Sequence, residues 1–199
     1  MSVLTEIPDN RIVTDRGKIL VNPAFNIVLE IQRLYREEDL TDYEKVEQAL
    51  KMLVKNRWNL CLYSPGEQMK LLEQIGKQCI MTKRRPQIKQ DPVPVLDFEE
   101  DGEYIYASFM QDYHIDLIDE QGRLPWKKFL FLFNGLSSET KIKQVMRIRS
   151  MELPKFNGKN AEQIQKINEL KSYYALPVKG GGGQSGLDLL FRTLEGMAK

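Results

Sequence analysis

The sequence predicts a mainly α protein: a compact, multi-helix, bundle-like domain over residues 1–178, with a small N-terminal β-hairpin and a tethered C-terminal amphipathic helix. Three observations lead there. Apolar residues recur at i, i+3, i+4 and i+7 along most of the chain. Two boxes, Thr41-Asp42-Tyr43-Glu44 and Ser64-Pro65-Gly66-Glu67, mark helix starts. In each, the hydroxyl and the carboxylate take backbone N–H groups that a helix leaves free. Strand character is clearest at residues 11–21, where β-branched runs flank Asp15-Arg16-Gly17-Lys18.

The elements follow in order. Gly17 takes positive φ at little cost, so residues 11–21 read as a hairpin with a three- or four-residue loop. A lone hairpin is marginal in water and must lean on the helices that follow. Asn22-Pro23 reads as an N-cap and first helical residue, with Ala24, Ile27, Val28, Ile31, Leu34 and Tyr35 on one face. The Thr41 box opens a helix with Val46, Ala49, Leu50, Leu53 and Val54 inward. The Ser64 box opens another with Met69, Leu72, Ile75, Cys79 and Ile80 inward.

Residues 81–96 break the pattern and form a long loop. It carries Lys83, Arg84, Arg85 and Lys89, a basic cluster that could touch a phosphate backbone. With no aromatic interleaved for base stacking, the plainer reading is a solvated loop pairing with the acidic run from Asp97 to Glu103. That acidic run suits the N-terminus of a helix from Tyr104, whose core face is Ile105 and Phe109 with Asp112-Tyr113 at its edge.

Residues 104–136 concentrate aromatics: Tyr104, Tyr106, Phe109, Tyr113, Trp126, Phe129, Phe131 and Phe133. Such rings mainly fill cores. The helix from Trp126 is apolar nearly all round and too short to span a bilayer, so it is expected to be buried on every side, the central helix of the domain. It should stop at Asn134-Gly135. Ser137 or Ser138 then caps a helix through Ile142, Val145 and Met146, with Lys141, Lys143, Arg147 and Arg149 on its outer faces. After a loop at Pro154, Asn157 and Gly158, Asn160 opens a helix carrying Ile164, Ile167, Leu170 and Tyr174, which stops before Pro177. Residues 179–186 have the composition of a flexible linker. In the tail, residues 187–199, Leu187, Leu190, Phe191 and Leu194 share one helical face. This segment is too short to be stable alone and needs a surface: its own core, a second copy or a partner groove.

Composition narrows the function. The chain has 199 residues, 42% hydrophobic and 29% charged, enough for a core without staples. Its net charge of +1 creates no global field that would draw nucleic acid. Cys61, Cys79 and the lone His114 are too few for a Cys/His zinc site, and the cysteines read as reduced core residues, which favours a reducing compartment. Residues 1–10 lack a signal-peptide pattern, and no run approaches the roughly 20 apolar residues of a membrane span, so a soluble cytosolic protein is expected. No phosphate-binding glycine motif or nucleophile elbow occurs. His114 sits between Asp112 and Asp116, but at a helix end the reading is an edge or capping residue. No catalytic residue, cofactor or metal is expected.

One series of residues carries a family likeness. It runs Glu103-Tyr104-Ile105-Tyr106-Ala107-Ser108-Phe109, Tyr113-His114-Ile115-Asp116-Leu117, Trp126-Lys127-Lys128-Phe129 and Asn134-Gly135-Leu136-Ser137 with Thr140-Lys141. Arg147-Ile148-Arg149-Ser150 and Leu170-Lys171-Ser172-Tyr173-Tyr174-Ala175-Leu176-Pro177 continue it. The series resembles the bacteriophage Gp-fifteen family of tailed phages and prophages of Gram-positive bacteria, most strongly over residues 101–177. The resemblance implies a non-enzymatic tail assembly chaperone that coats the tape measure protein while a long, non-contractile tail is built. It implies a protein of the host cytoplasm, absent from the mature virion, that associates with itself and with the tape measure protein, the major tail tube protein being a further candidate partner. No membrane is implied, and nucleic acid is not an expected partner. Such chaperones often exist in two lengths through frameshifting, and the glycine run would suit that junction or a natural tail. On this reading Leu187, Leu190, Phe191 and Leu194 are the candidate partner contact. The alternatives are a structural tail or head-completion component retained in the virion, and a nucleic-acid-binding regulator using Lys83, Arg84, Arg85 and Lys89.

Overall fold

The computed structural model describes residues 9–82 and 94–177. In chain order the elements are β1 (Arg11–Thr14), β2 (Gly17–Leu20), α1 (Phe25–Arg36), α2 (Asp42–Leu53), a 3-10 helix (Arg57–Leu62), α3 (Pro65–Ile75) with a π-helical turn (Gly76–Ile80), α4 (Gly102–Tyr113), α5 (Trp126–Gly135), α6 (Lys141–Ser150) and α7 (Ala161–Tyr173). The protein is mainly helical with a small two-stranded antiparallel hairpin. It divides into two compact units, whose described parts are residues 9–82 with 118–132, and 94–117 with 133–177.

In the first unit β1 and β2 pair from Arg11↔Leu20 to Thr14↔Gly17. The loop is therefore two residues, Asp15-Arg16, shorter than the spacing suggested. Gly17 opens β2 at φ 120°, a conformation that lets the chain turn back this early. The paired Ile12 and Ile19 are buried, while Val13 and Leu20 face solvent. As expected of a lone hairpin, β1–β2 leans on its neighbours. The Asn56 amide stands in for a third strand: Leu20 N–H donates to its Oδ1 (2.9 Å) and its Nδ2 donates to Lys18 O (3.1 Å). The Thr14 and Tyr63 hydroxyls bond at 2.7 Å, and Arg16 pairs with Glu67.

The first helix begins later than Asn22-Pro23 suggested. Its N-cap is Ala24, because the preceding residues are extended and their backbone groups are used elsewhere. Val21 bridges Val54 and Ala24 bridges Pro125. Asn22 N–H donates to Leu53 O, Phe25 N–H to Leu124 O and Trp126 N–H to Pro23 O, at 2.7–2.9 Å. Instead of capping, the Asn22 side chain donates to Gly122 O, and Gly122 N–H donates to Asn26 Oδ1. Gly122 reaches this position at φ 73°.

The capping boxes at Thr41 and Ser64 form as expected. Val28, Ile31, Leu34 and Tyr35 of α1, Val46, Ala49, Leu50 and Leu53 of α2, and Leu71, Leu72 and Ile75 of α3 fill the core. The π turn keeps Cys79 and Ile80 on the buried side. The 3-10 helix was not foreseen. It leaves Cys61 exposed rather than in the core, with Trp58 three residues earlier 76% exposed.

α5 departs from the expectation of burial on every side. Trp126, Phe129 and Phe133 are buried, Leu130 and Leu132 are half-buried, and Phe131 is 41% exposed. Phe129 stacks on Phe25 (5.0 Å) and Trp126 (5.5 Å), so this one face is where the rings pack. Phe131, two residues on, lies roughly 200° round the helix. α5 stops at Gly135 as the sequence suggested, and a side chain there would be crowded: a Cβ would meet the Tyr113 hydroxyl at 2.9 Å.

In the second unit Ile105 and Phe109 of α4 pack with Ile142 and Val145 of α6 as buried residues. The α6 N-cap is Thr140, not Ser137 or Ser138. Its side chain donates to Ser137 O and does not cap the helix. The cap comes from α4: Ser108 Oγ accepts from Ile142 N–H (3.1 Å) and donates to Tyr104 O (2.6 Å). α7 forms where the periodicity placed it, but none of its residues is buried.

Candidate functional site

The predicted contact residues Leu187, Leu190, Phe191 and Leu194 lie outside the described residues, as do Lys83, Arg84, Arg85 and Lys89. His114 is described. It is the C-cap of α4, in the left-handed conformation at φ 53°, with its N–H donated to Met110 O. The flanking carboxylates have other partners: Asp112 accepts from Ser137 N–H (2.7 Å), and Asp116 accepts from the Tyr106 hydroxyl (3.1 Å). His114 therefore ends a helix, and its neighbours brace the turns beside it. Among the described residues no group of three or more His, Cys, Asp or Glu could hold a metal ion, and no helix is long and apolar enough to cross a membrane.

The conspicuous cluster in the second unit was missed by the sequence reading, which put Arg149 on an outer face of α6 and Asp101 in a solvated acidic run. Both are buried, 7% and 1% exposed. Arg149 donates to both Asp101 oxygens (2.7 and 2.8 Å), to Val95 O (3.0 Å) and to Tyr174 O (2.6 Å). The planar guanidinium thus ties the approach to α4, the end of α6 and the exit from α7. Asp101 also accepts from Asp97 N–H (2.9 Å), and Asp97 caps Glu99 and Glu100. No local pattern could reveal a partner 48 residues away.

Beside this clamp, Lys141 donates to the Tyr174 hydroxyl (2.7 Å) and lies 4.9 Å from the Tyr174 ring centre and 5.7 Å from that of Tyr104. The Tyr174 hydroxyl, foremost, raises the Lys141 pKa by favouring the ammonium form. Lys143 shows the opposite direction. Partial burial, with Phe133 5.0 Å away, lowers its pKa.

The remaining feature of this unit is apolar. Met151, Leu153 and Phe156, in the connection from α6 to α7, and Leu170 and Tyr173 on α7 are exposed. Lys171 donates to Met151 O (2.6 Å), and Asn160 donates to Lys155 O (2.9 Å). The Lys171 bond places the start of the connection near the C-terminal end of α7, and the connection ends at the N-cap Asn160, so it runs back along the helix.

The fold and this site define a mainly helical protein whose buried polar side chains hold helices together and which exposes Met151, Leu153, Phe156, Leu170 and Tyr173 on and just before its last described helix. The chain belongs to the bacteriophage Gp15 protein family, whose model matches residues 10–176. Its class is that of phage structural or assembly proteins. The chain matches no curated protein and no solved structure.

Proposed function

We propose that this protein is a non-enzymatic tail assembly chaperone that coats the tape measure protein while a long, non-contractile phage tail is built. Family membership supports the assembly class. The observation that carries the reading further is the row of exposed apolar side chains around α7, from Met151 through Phe156 to Tyr173. Exposed apolar side chains on and beside one helix suit a helical client, because covering them supplies hydrophobic free energy without demanding one sequence. The C-terminal segment with Leu187, Leu190, Phe191 and Leu194 is a second contact on this reading. The protein acts in the host cytoplasm and leaves before the virion is complete.

Co-expression with a tape measure protein from a phage that carries this family tests this. The two are expected to co-purify, and Phe156→Ser with Leu170→Ser is expected to weaken capture about tenfold, in line with the loss of apolar contact. A tape measure protein that stays insoluble and uncaptured in the presence of this protein overturns the proposal. Mass spectrometry of purified particles supplies the other arm: recovery in stoichiometric amounts makes the protein a tail component instead.

A further inference from the structure

We propose that copies of this chain associate head to tail, the acidic loop between α1 and α2 of one copy docking on the basic, apolar face beside the hairpin of the next. Both surfaces lie in the first unit. β1 and β2 bury Ile12 and Ile19 on one side and turn Val13, Lys18 and Leu20 to the other, because side chains alternate along a strand. The segment after α2 runs along the outer edge of β2. Lys55 N–H donates to Leu20 O (2.8 Å), Asn56 holds Leu20 and Lys18, and at the hairpin tip the Thr14 hydroxyl meets that of Tyr63. This segment leaves Trp58 76% and Leu62 55% exposed, while Val13 on the hairpin is 69% exposed. Large apolar side chains left in water on two adjoining elements mark a contact site. Cations accompany them. Arg11 is taken by Asp9 and Arg16 by Glu67, whereas Lys18, Lys55 and Arg57 are exposed and make no ion pair among the described residues.

The opposite chemistry sits at the other end of α2. Glu37, Glu38 and Asp39 lead into its N-cap, Thr41; they are exposed and likewise make no ion pair among the described residues. Tyr43, in the first turn, is 44% exposed. α2 has 12 residues, so its length sets the two charged ends about 18 Å apart. Charge of these signs complements the dipole of α2. The dipole does not account for the exposed Tyr43, Trp58 and Leu62. Complementary patches at opposite ends of one helix cannot meet within a copy. They can meet between copies, and such a contact repeats from each copy to the next. The partner that the basic face calls for, carboxylates next to an exposed ring, is thus carried by every copy, and charge complementarity sets its orientation.

These surfaces share no residue with the apolar side chains around α7, and the test contains no tape measure protein, so this inference and the client reading fail separately. One full-length variant carries Lys55→Glu with Arg57→Glu, the other Glu37→Lys with Glu38→Lys. Sedimentation velocity over a range of concentrations reads association, and thermal melting checks folding. The wild-type chain is expected to associate, less so as salt is raised. Each variant alone sets like charge against like and is expected to associate about tenfold more weakly. Mixing the two restores association, since each keeps the end that the other needs. Trp58→Ser is expected to weaken association at a nearly unchanged melting temperature. A wild-type chain that stays monomeric at every concentration overturns the proposal. Association that persists in each variant alone does so too, since it places the contact on another surface, as does a mixture of folded variants that stays apart. If a reversal variant melts far below the wild type, Trp58→Ser decides: unchanged association there overturns the proposal.

Discussion

At the scale of single residues, Arg149 has the largest predicted consequence. It is buried with Asp101 and meets two carbonyls besides. Removing one partner leaves the other charge in a poorly solvated place. Arg149→Ala is therefore expected to destabilise by about 3–5 kcal/mol, read by urea unfolding, and Asp101→Ala by a similar amount. Replacing both with apolar residues of matched volume should cost less than either alone, because no orphaned charge remains. Trp126, 1% exposed and stacked on Phe129, gives a second case. Trp126→Ala is expected to cost about 3–5 kcal/mol through lost burial and the cavity left behind. The cysteines give a third. Cys61 is exposed and Cys79 buried, so native protein should take one maleimide at neutral pH and unfolded protein two. The Cys79 thiol is also raised in the folded chain, to about 11 from 9.0. Its contribution to stability is thus intact below pH 9.0 and is lost as pH rises toward 11. Of these residues the sequence singled out Trp126, because aromatic density marks a core. Arg149 was hidden, since a cation among Lys141, Lys143 and Arg147 looks like one more solvated charge.

At the scale of elements, the capping boxes were legible because their chemistry is local: acceptor and donor sit three residues apart. They also set a pH dependence. Glu44 is lowered first by its bond from the Thr41 side chain, and Glu67 first by the Ser64 backbone N–H. Each box stabilises its helix fully above the ordinary carboxylate range and loses that contribution as pH falls through it. Glu44→Gln and Glu67→Gln should flatten the acid limb of a stability–pH curve while lowering its neutral plateau. An unchanged acid limb would show that other carboxylates dominate it. The start of α1 and the cap of α6 were misread for the converse reason. Asn22 has the right chemistry for a cap, but Leu53, Leu124 and Trp126 claim the backbone around it. α6 takes its cap from Ser108, 34 residues earlier. α5 was read too simply, since hydrophobicity on all sides does not supply neighbours on all sides. Phe131→Ser should accordingly change stability by under about 1 kcal/mol, against about 3–5 for Phe129→Ala.

At the scale of the whole molecule, helix content and the N-terminal hairpin could be read from periodicity and turn residues. The candidate site could not. The residues that sequence reasoning favoured for contact lie at 83–89 and 187–194, outside the described chain. The exposed apolar residues around α7 escaped because Ile164, Ile167 and Leu170 looked like an ordinary core stripe, whereas in the fold Ile164 and Ile167 are only half-buried and Leu170 is exposed. The extended segment at residues 21–24 has a consequence for synthesis. Its partners are Leu53, Leu124 and Trp126, and the Asn22–Gly122 bond spans 100 residues. The ribosome will release the hairpin, α1, α2 and α3 well before residues 122–126 exist to complete their pairing. The nascent first unit must therefore wait, with Phe25 lacking its Phe129 stack and Pro23 lacking the Trp126 N–H. These long-range contacts are therefore among the last of the first unit to form. A stalled chain ending before Gly122 should then be far more open to protease than one that has passed Gly135.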